Sequence, residues 1–196
     1  LESARGKRLL ICIKGYPDPD NIASSLALEW FAKNYEITTK IVYFDDISHH
    51  ENRALVKKLD LDLEQVPRDF DTSSYDYYAI NDSQSPDLPI KIHDGCKLLI
   101  FVDHHKTLGN VEAHFVDIRE TSGSNSAIYV EYLRHSKVEF KGDSQEETRI
   151  ATALMHGLRS DTDDYVTASA LDYQASQFLA PKVDRDLLAL ISTVFN

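Results

Sequence analysis

Apolar positions along the chain fall into two periods. Short apolar runs rich in Ile, Val, Tyr and Phe, "RLLICIK" (8–14), "ITTKIVYF" (37–44), "YDYYAIN" (75–81) and "KLLIFV" (97–102), predict strands. "AHFVDI" (113–118) predicts a weaker fifth. Between the first two runs, Ile22, Leu26, Leu28, Trp30 and Phe31 give a helical stripe, with Asn21 as its cap. "ENRALVKKLD" (51–60), "SNSAIYVEYLRH" (124–135) and "SQEETRIATALMHGLRSD" (144–161) predict further helices, followed by shorter ones over 169–180 and 184–194. Ser144 and Asp184 are their candidate N-caps. The β-α-β-α-β order predicts an α/β fold: a mainly parallel sheet of about five strands, helices on both faces, and a helical C-terminal part that covers one face or forms a small cap. No internal repeat or low-complexity segment interrupts the pattern.

Length and composition narrow this picture. The 196 residues suit one domain, taken as 8–196, with 1–7 as an N-terminal extension or remnant. Hydrophobic content of 42% and charged content of 27% are ordinary for a water-soluble globular chain. A net charge of −11 argues against binding long duplex nucleic acid, whose phosphates it would repel, but leaves room for a local cationic or metal-filled pocket. Cys12 and Cys96 each lie in or beside an apolar run and read as small buried side chains, not a disulfide. The longest apolar run, 98–102, is far too short to cross a membrane, and "LESARGKRLL" has no signal-peptide core, so the cytoplasm is the expected compartment. The first residue is Leu and the sole Met is Met155, as expected of a processed product or a piece of a longer protein.

Ligands of an open parallel sheet bind beyond the carboxyl ends of its strands. Asp18 and Asp20 follow the first expected strand, Asp82 the third, and Asp103-His104-His105 the fourth; the long helix ends in "GLRSDTDDY" with Asp161, Asp163 and Asp164. A single Asp in such a place is most often a turn or cap residue. Several, with histidines beside them, point to one shared site. Carboxylates crowded into one crevice need positive charge, and aspartates with an imidazole suit Mn²⁺ or Mg²⁺ better than a thiolate-bound zinc.

These segments resemble the motifs of the DHH phosphoesterase superfamily. "VDHHKT" carries its signature, "PDPDNIASSLAL" resembles its first motif, "AINDSQSP" its second, "ETSGSNSAIYVEYL" (120–133) its third and "GLRSDTDDY" its fourth. "HHENRALVKKL" (49–59) and the tail after Asp161 are most similar to the nanoRNase and phosphoadenosine-phosphate phosphatase branch. The resemblance implies a metal-dependent hydrolase of phosphoester bonds in short oligonucleotides or nucleoside bisphosphates, using one or two Mn²⁺ or Mg²⁺ ions. It implies that Asp82 bridges two ions, that Asp20, His104 and Asp161 complete the second site, and that Asp18 sits on the first. His105 would face the substrate phosphate, and Asp103 would orient the histidines. Apart from the resemblance, Lys106 beside the histidines and Arg159 beside Asp161 are candidate phosphate binders, because ammonium and guanidinium groups suit that task, although an ordinary ion pair suits each at least as well. The alternative is a catalytically weak relative that binds one metal or a nucleotide for regulation or assembly.

Two departures qualify the resemblance. Where the family's first motif has a metal-binding histidine, this chain has Lys14, whose protonated amine offers no lone pair. Its ammonium would either replace the first ion, pairing with Asp18 and Asp82, or point away and leave a weaker first site. The glycine-rich, histidine-containing motif of the family's C-terminal substrate-binding domain is also absent from these residues, so the expectation is either a piece of a longer protein, with a fused or separate C-terminal domain as partner, or a protein that lacks that domain. Other cations and histidines read blandly. Arg53 and Arg119 suit ordinary ion pairs at least as well as phosphate, and His49 and His50 suit a solvated or capping role.

Overall fold

The computed structural model describes residues 1–47 and 50–193. Its centre is β1 (Arg8–Ile13), buried along nearly its whole length, as a strand covered on both faces must be. The chain passes through α1 (Pro19–Asn34) to β2 (Thr38–Tyr43), then through α2 (His50–Lys58) to β3 (Leu63–Gln65). It returns to the other side of β1 for β4 (Tyr77–Asn81), β5 (Lys97–Asp103) and β6 (Phe115–Ile118). The six strands run in the order β3-β2-β1-β4-β5-β6, and every neighbouring pair is parallel. Four helices follow: α3 (Asn125–Arg134), α4 (Gln145–Asp161), α5 (Ala170–Leu179) and α6 (Arg185–Thr193).

The α/β class and the parallel sheet are as expected, with one strand more. The extra strand, β3, is three residues long, two of them polar, and too short for an alternation to register. Asn21 does not cap α1. Asp18 does, its carboxylate accepting the Asn21 amide at 2.8 Å, because Pro17 and Pro19 hold the chain extended up to that point. Ser144 caps α4, and Asp184 accepts the Leu187 amide at 2.9 Å. His49, the His50 side chain and the end of the last expected helix at 194 lie outside the described residues.

Among the described residues, helices do not cover both faces. Leu9, Ile11 and Ile13 point into a large core shared with α1 to α6. Leu10, Cys12, Val42, Ile80 and Phe101 point the other way, into a smaller core closed by Val66, Phe70, Leu88, Ile90, Ile92 and Val111, all from connecting segments. Right-handed crossovers force this division: β1 to β3 advance in one direction, and β4 to β6 in the opposite one. The connections on the second side are short and contain Pro67, Pro86 and Pro89, which suppress helix. The C-terminal helices therefore collect on the first side, where α1, packed against α4 and α3, is buried almost all round. Residues 1–7 pack against the body through a 3-10 turn, Glu2–Ala4, with Ala4 fully buried. Cys12 and Cys96 are free and buried.

Candidate metal centre

Strand order reverses between β1 and β4, which is where the carboxyl ends of an open sheet leave a crevice. Asp20 opens the first turn of α1 at its floor. Its carboxylate accepts two backbone amides from the start of α3, Asn125 at 2.7 Å and Ser126 at 2.8 Å. A helix N-terminus presents such unpaired amides, and here they hold an anion supplied by the chain itself. Asp82 follows β4 with a left-handed φ of 52°, a conformation Asp tolerates better than most residues. Its amide is tied to the Val102 carbonyl at 2.9 Å. His104 follows β5, and its Nδ1 lies 3.2 Å from the Ser122 carbonyl, which fixes that nitrogen as the donor.

His104 Nε2 is thereby turned toward three carboxylates: Asp161 at 2.9 Å, Asp82 at 3.2 Å and Asp20 at 3.7 Å. Despite these distances, Nε2 and Asp82 Oδ1 make no hydrogen bond of acceptable geometry, although their side chains are only 9% and 3% exposed. Burial, followed for Asp18 and Asp20 by the charge on Asp82, raises the carboxyls of Asp18, Asp20 and Asp82, Asp18 to about 7. Burial works against a charge on His104, but the Asp161 and Asp82 contacts outweigh it and raise its pKa to about 11. A cluster with this much negative charge and two unsatisfied buried atoms fits a cation.

Among the described residues two ligand sets assemble: Asp20, His104 and Asp161, and Asp82, His104 and His105. The first set, carboxylate oxygens with one imidazole, offers the donors that a divalent cation of the magnesium or manganese type accepts; the second offers one carboxylate and two imidazoles. His105 Nδ1 bonds to Asp103 Oδ1 at 2.8 Å and lies 3.6 Å from Asp82 Oδ1. Asp103 is fully buried, while the His105 side chain is 39% exposed. The hydrogen bond to Asp103, against a smaller opposing effect of burial, raises the His105 pKa.

Not every expected residue joins this cluster. Asp18 falls outside both ligand sets and serves as the α1 cap. Lys14 does not pair with Asp18 or Asp82; among the described residues it has no carboxylate within 4.0 Å. Its Nζ donates instead to Ser85 Oγ at 2.7 Å and to the Ser85 carbonyl at 3.3 Å. Cys12 pairs with Ile80, so Lys14 and Asp82 leave adjacent strands at the same level, and the loop after Asp82 curls back to meet the amine. Arg159 donates to Asp164 at 2.7 Å, and Arg119 is held by Asp117 and Glu131. Lys106 is exposed next to His105.

The supporting residues were harder to foresee. Asp172, fully buried on α5, accepts from the Gly123 amide, Ser124 Oγ, and the Ser169 amide and hydroxyl. It thus pins the segment that offers the Ser122 carbonyl to His104 and starts α3 under Asp20. The capping box at Ser169 was its only local signal. Its link to residue 124 spans 48 positions.

No protein-family model matches the chain. An uncharacterized protein of Methanocaldococcus jannaschii is 32% identical over 192 residues, 97% of this chain and 38% of that protein. A Methanococcus jannaschii structure, described as a candidate family II inorganic pyrophosphatase, superposes with a TM-score of 0.71 at 20% identity, over 95% of this chain and 60% of that one. An exopolyphosphatase-related protein from Bacteroides fragilis gives 0.65 at 14% identity, over 97% and 57%. The chain thus spans under two fifths of the curated relative and about three fifths of the solved structures. It shares their α/β fold.

Proposed function

We propose that the chain is the catalytic domain of a divalent-metal phosphoesterase of the DHH type. The observation that carries this is the convergence of Asp20, Asp82, Asp161 and His104 Nε2 at one crevice, with buried atoms lacking hydrogen-bond partners. The DHH-like motifs and the fold shared with pyrophosphatase- and exopolyphosphatase-related proteins support the same class. Manganese fits the donors best, with magnesium as the close alternative. A bound ion would polarise a phosphoryl oxygen and activate a water.

The chain's own residues supply the rest. Asp20, Asp82, Asp161 and His104 hold the ion. His105, with Nδ1 committed to Asp103, presents Nε2 to a phosphate oxygen or to the leaving group, where it can hold or deliver a proton. Lys106 stands exposed beside it for a second phosphate contact. Substrates of short, multiply charged type, dinucleotides or nucleoside bisphosphates, suit a local metal-loaded crevice on a chain of net charge −11, which disfavours a long duplex.

A second reading, binding without turnover, draws support from Lys14, which cannot ligate an ion. Hydrolysis of bis(p-nitrophenyl) phosphate and of dinucleotides with Mn²⁺ separates the two. We expect Mn²⁺-dependent turnover that falls at least about a hundredfold in Asp82→Asn. Saturable Mn²⁺ binding with no turnover of any phosphoester would favour the second reading.

A further inference from the structure

We infer that this centre holds a single divalent ion, and that the ammonium of Lys14 acts as the second positive charge facing the substrate phosphate. The inference rests on the metal-dependent reading above and concerns how that site is charged.

The two ligand sets share one atom. Both need His104, whose Nδ1 is committed to the Ser122 carbonyl, so both need Nε2. One imidazole nitrogen has one lone pair and serves one ion. A second ion would have to be held without that nitrogen, and the remaining carboxylate, Asp18, is outside both sets, with its Oδ1 taken by the Asn21 amide at the helix cap.

Lys14 stands where a second charge is wanted. It leaves β1 level with Asp82, at the reversal of strand order. Two hydrogen bonds to Ser85 hold its amine, and Ser85 Oγ in turn donates to Asp87 at 3.1 Å. An ammonium has three donors, so one remains for a ligand oxygen. Among the described residues no carboxylate lies within 4.0 Å of it, so its charge is not spent on a direct ion pair. An ammonium fixed by a serine at the strand end that carries the ion site is suited to a phosphate as a compact point charge.

The test uses the native chain first. Metal content after equilibration with excess Mn²⁺ should be one ion per chain, with the paramagnetic resonance spectrum of an isolated Mn²⁺. Inorganic phosphate, titrated into the Mn²⁺-loaded protein, should bind at least about tenfold more weakly to Lys14→Met and within about threefold of native to Lys14→Arg, while both variants keep one ion. Circular dichroism melts establish that the variants fold. Two Mn²⁺ per native chain, or unchanged phosphate binding in Lys14→Met, would overturn the inference and leave the metal-dependent reading standing. No bound Mn²⁺ would overturn both.

Discussion

Gly157 lies directly against Asp20: a β-carbon at Gly157 would stand 2.9 Å from Asp20 Cα, and at the same distance from the Pro19 carbonyl oxygen and Ser126 Oγ. Two of these atoms are backbone and cannot rotate away. Alanine would favour the helix by about 1 kcal/mol, but overpacking costs about 1–3 kcal/mol, so the clash decides the sign. Gly157→Ala should lower stability and, by pushing α4 off the start of α1, displace Asp161 from Asp20. Urea unfolding should show the loss, and calorimetry should show Mn²⁺ binding weakened about tenfold or more. Native values of both would mean that the two helices part without cost.

Asp172 should matter although it touches no ligand residue. Asp172→Asn removes the charge that four donor contacts from Gly123, Ser124 and Ser169 share. Hydrogen bonds to a buried charge contribute about 1.5–3 kcal/mol, so a loss of about 2 kcal/mol or more is expected in urea unfolding. Mn²⁺ affinity should fall as well, because Ser122 no longer fixes the His104 ring. A stability loss with native metal affinity would confine Asp172 to the α3–α5 junction.

Divalent metal should stabilise the fold. An ion that binds only the native state adds about 2.7 kcal/mol at a hundredfold excess over Kd. Thermal unfolding should therefore move upward with Mn²⁺ and return on chelation. Asp161→Asn and His104→Ala should lose most of that increment. An unchanged midpoint in native protein at millimolar Mn²⁺ would count against the centre.

His156 should make the fold sensitive to mild acid. Burial, aided by the charge of Arg159, depresses its pKa from 6.5 to about 4. The unfolded chain therefore takes up the proton first. Stability from this group is constant above pH 6.5 and declines as pH falls from 6.5 toward 4, by about 2 kcal/mol between pH 7.5 and 5. The raised carboxyls of Asp18, Asp20 and Asp82 act in the opposite sense over this range, because the folded state then binds their protons more tightly. Comparing native protein with His156→Gln cancels them. The variant should lose less stability on acidification, and equal losses would exclude His156.

The sequence made the strands and main helices legible because their apolar periods are strong. It also made the acidic cluster legible, since Asp20, Asp82, His104 and Asp161 all follow recognisable strand or helix ends. What it hid depends on contacts remote in sequence. Asp18 reads equally well as ligand or cap, and only the Asn21 amide decides between them. Lys14 carries a charge whose nearest partner, Ser85, lies 71 positions away. The second face, covered by connecting segments and not by helices, could not be read from the helical patterns themselves, because it follows from where the chain crosses the sheet.

That face has a consequence for motion. Its apolar core is closed by connecting segments, whose amides lack a helical ladder, whereas α1 is buried among other helices. Amide exchange should be slowest in α1 and β1 and much faster over 86–96 and 106–113. Asp82 and His104 sit at the roots of those faster segments, and Asp20 and Asp161 belong to the slow helical side. The crevice is thus a seam between a rigid wall and a breathing one, and an ion bound across it would couple the two.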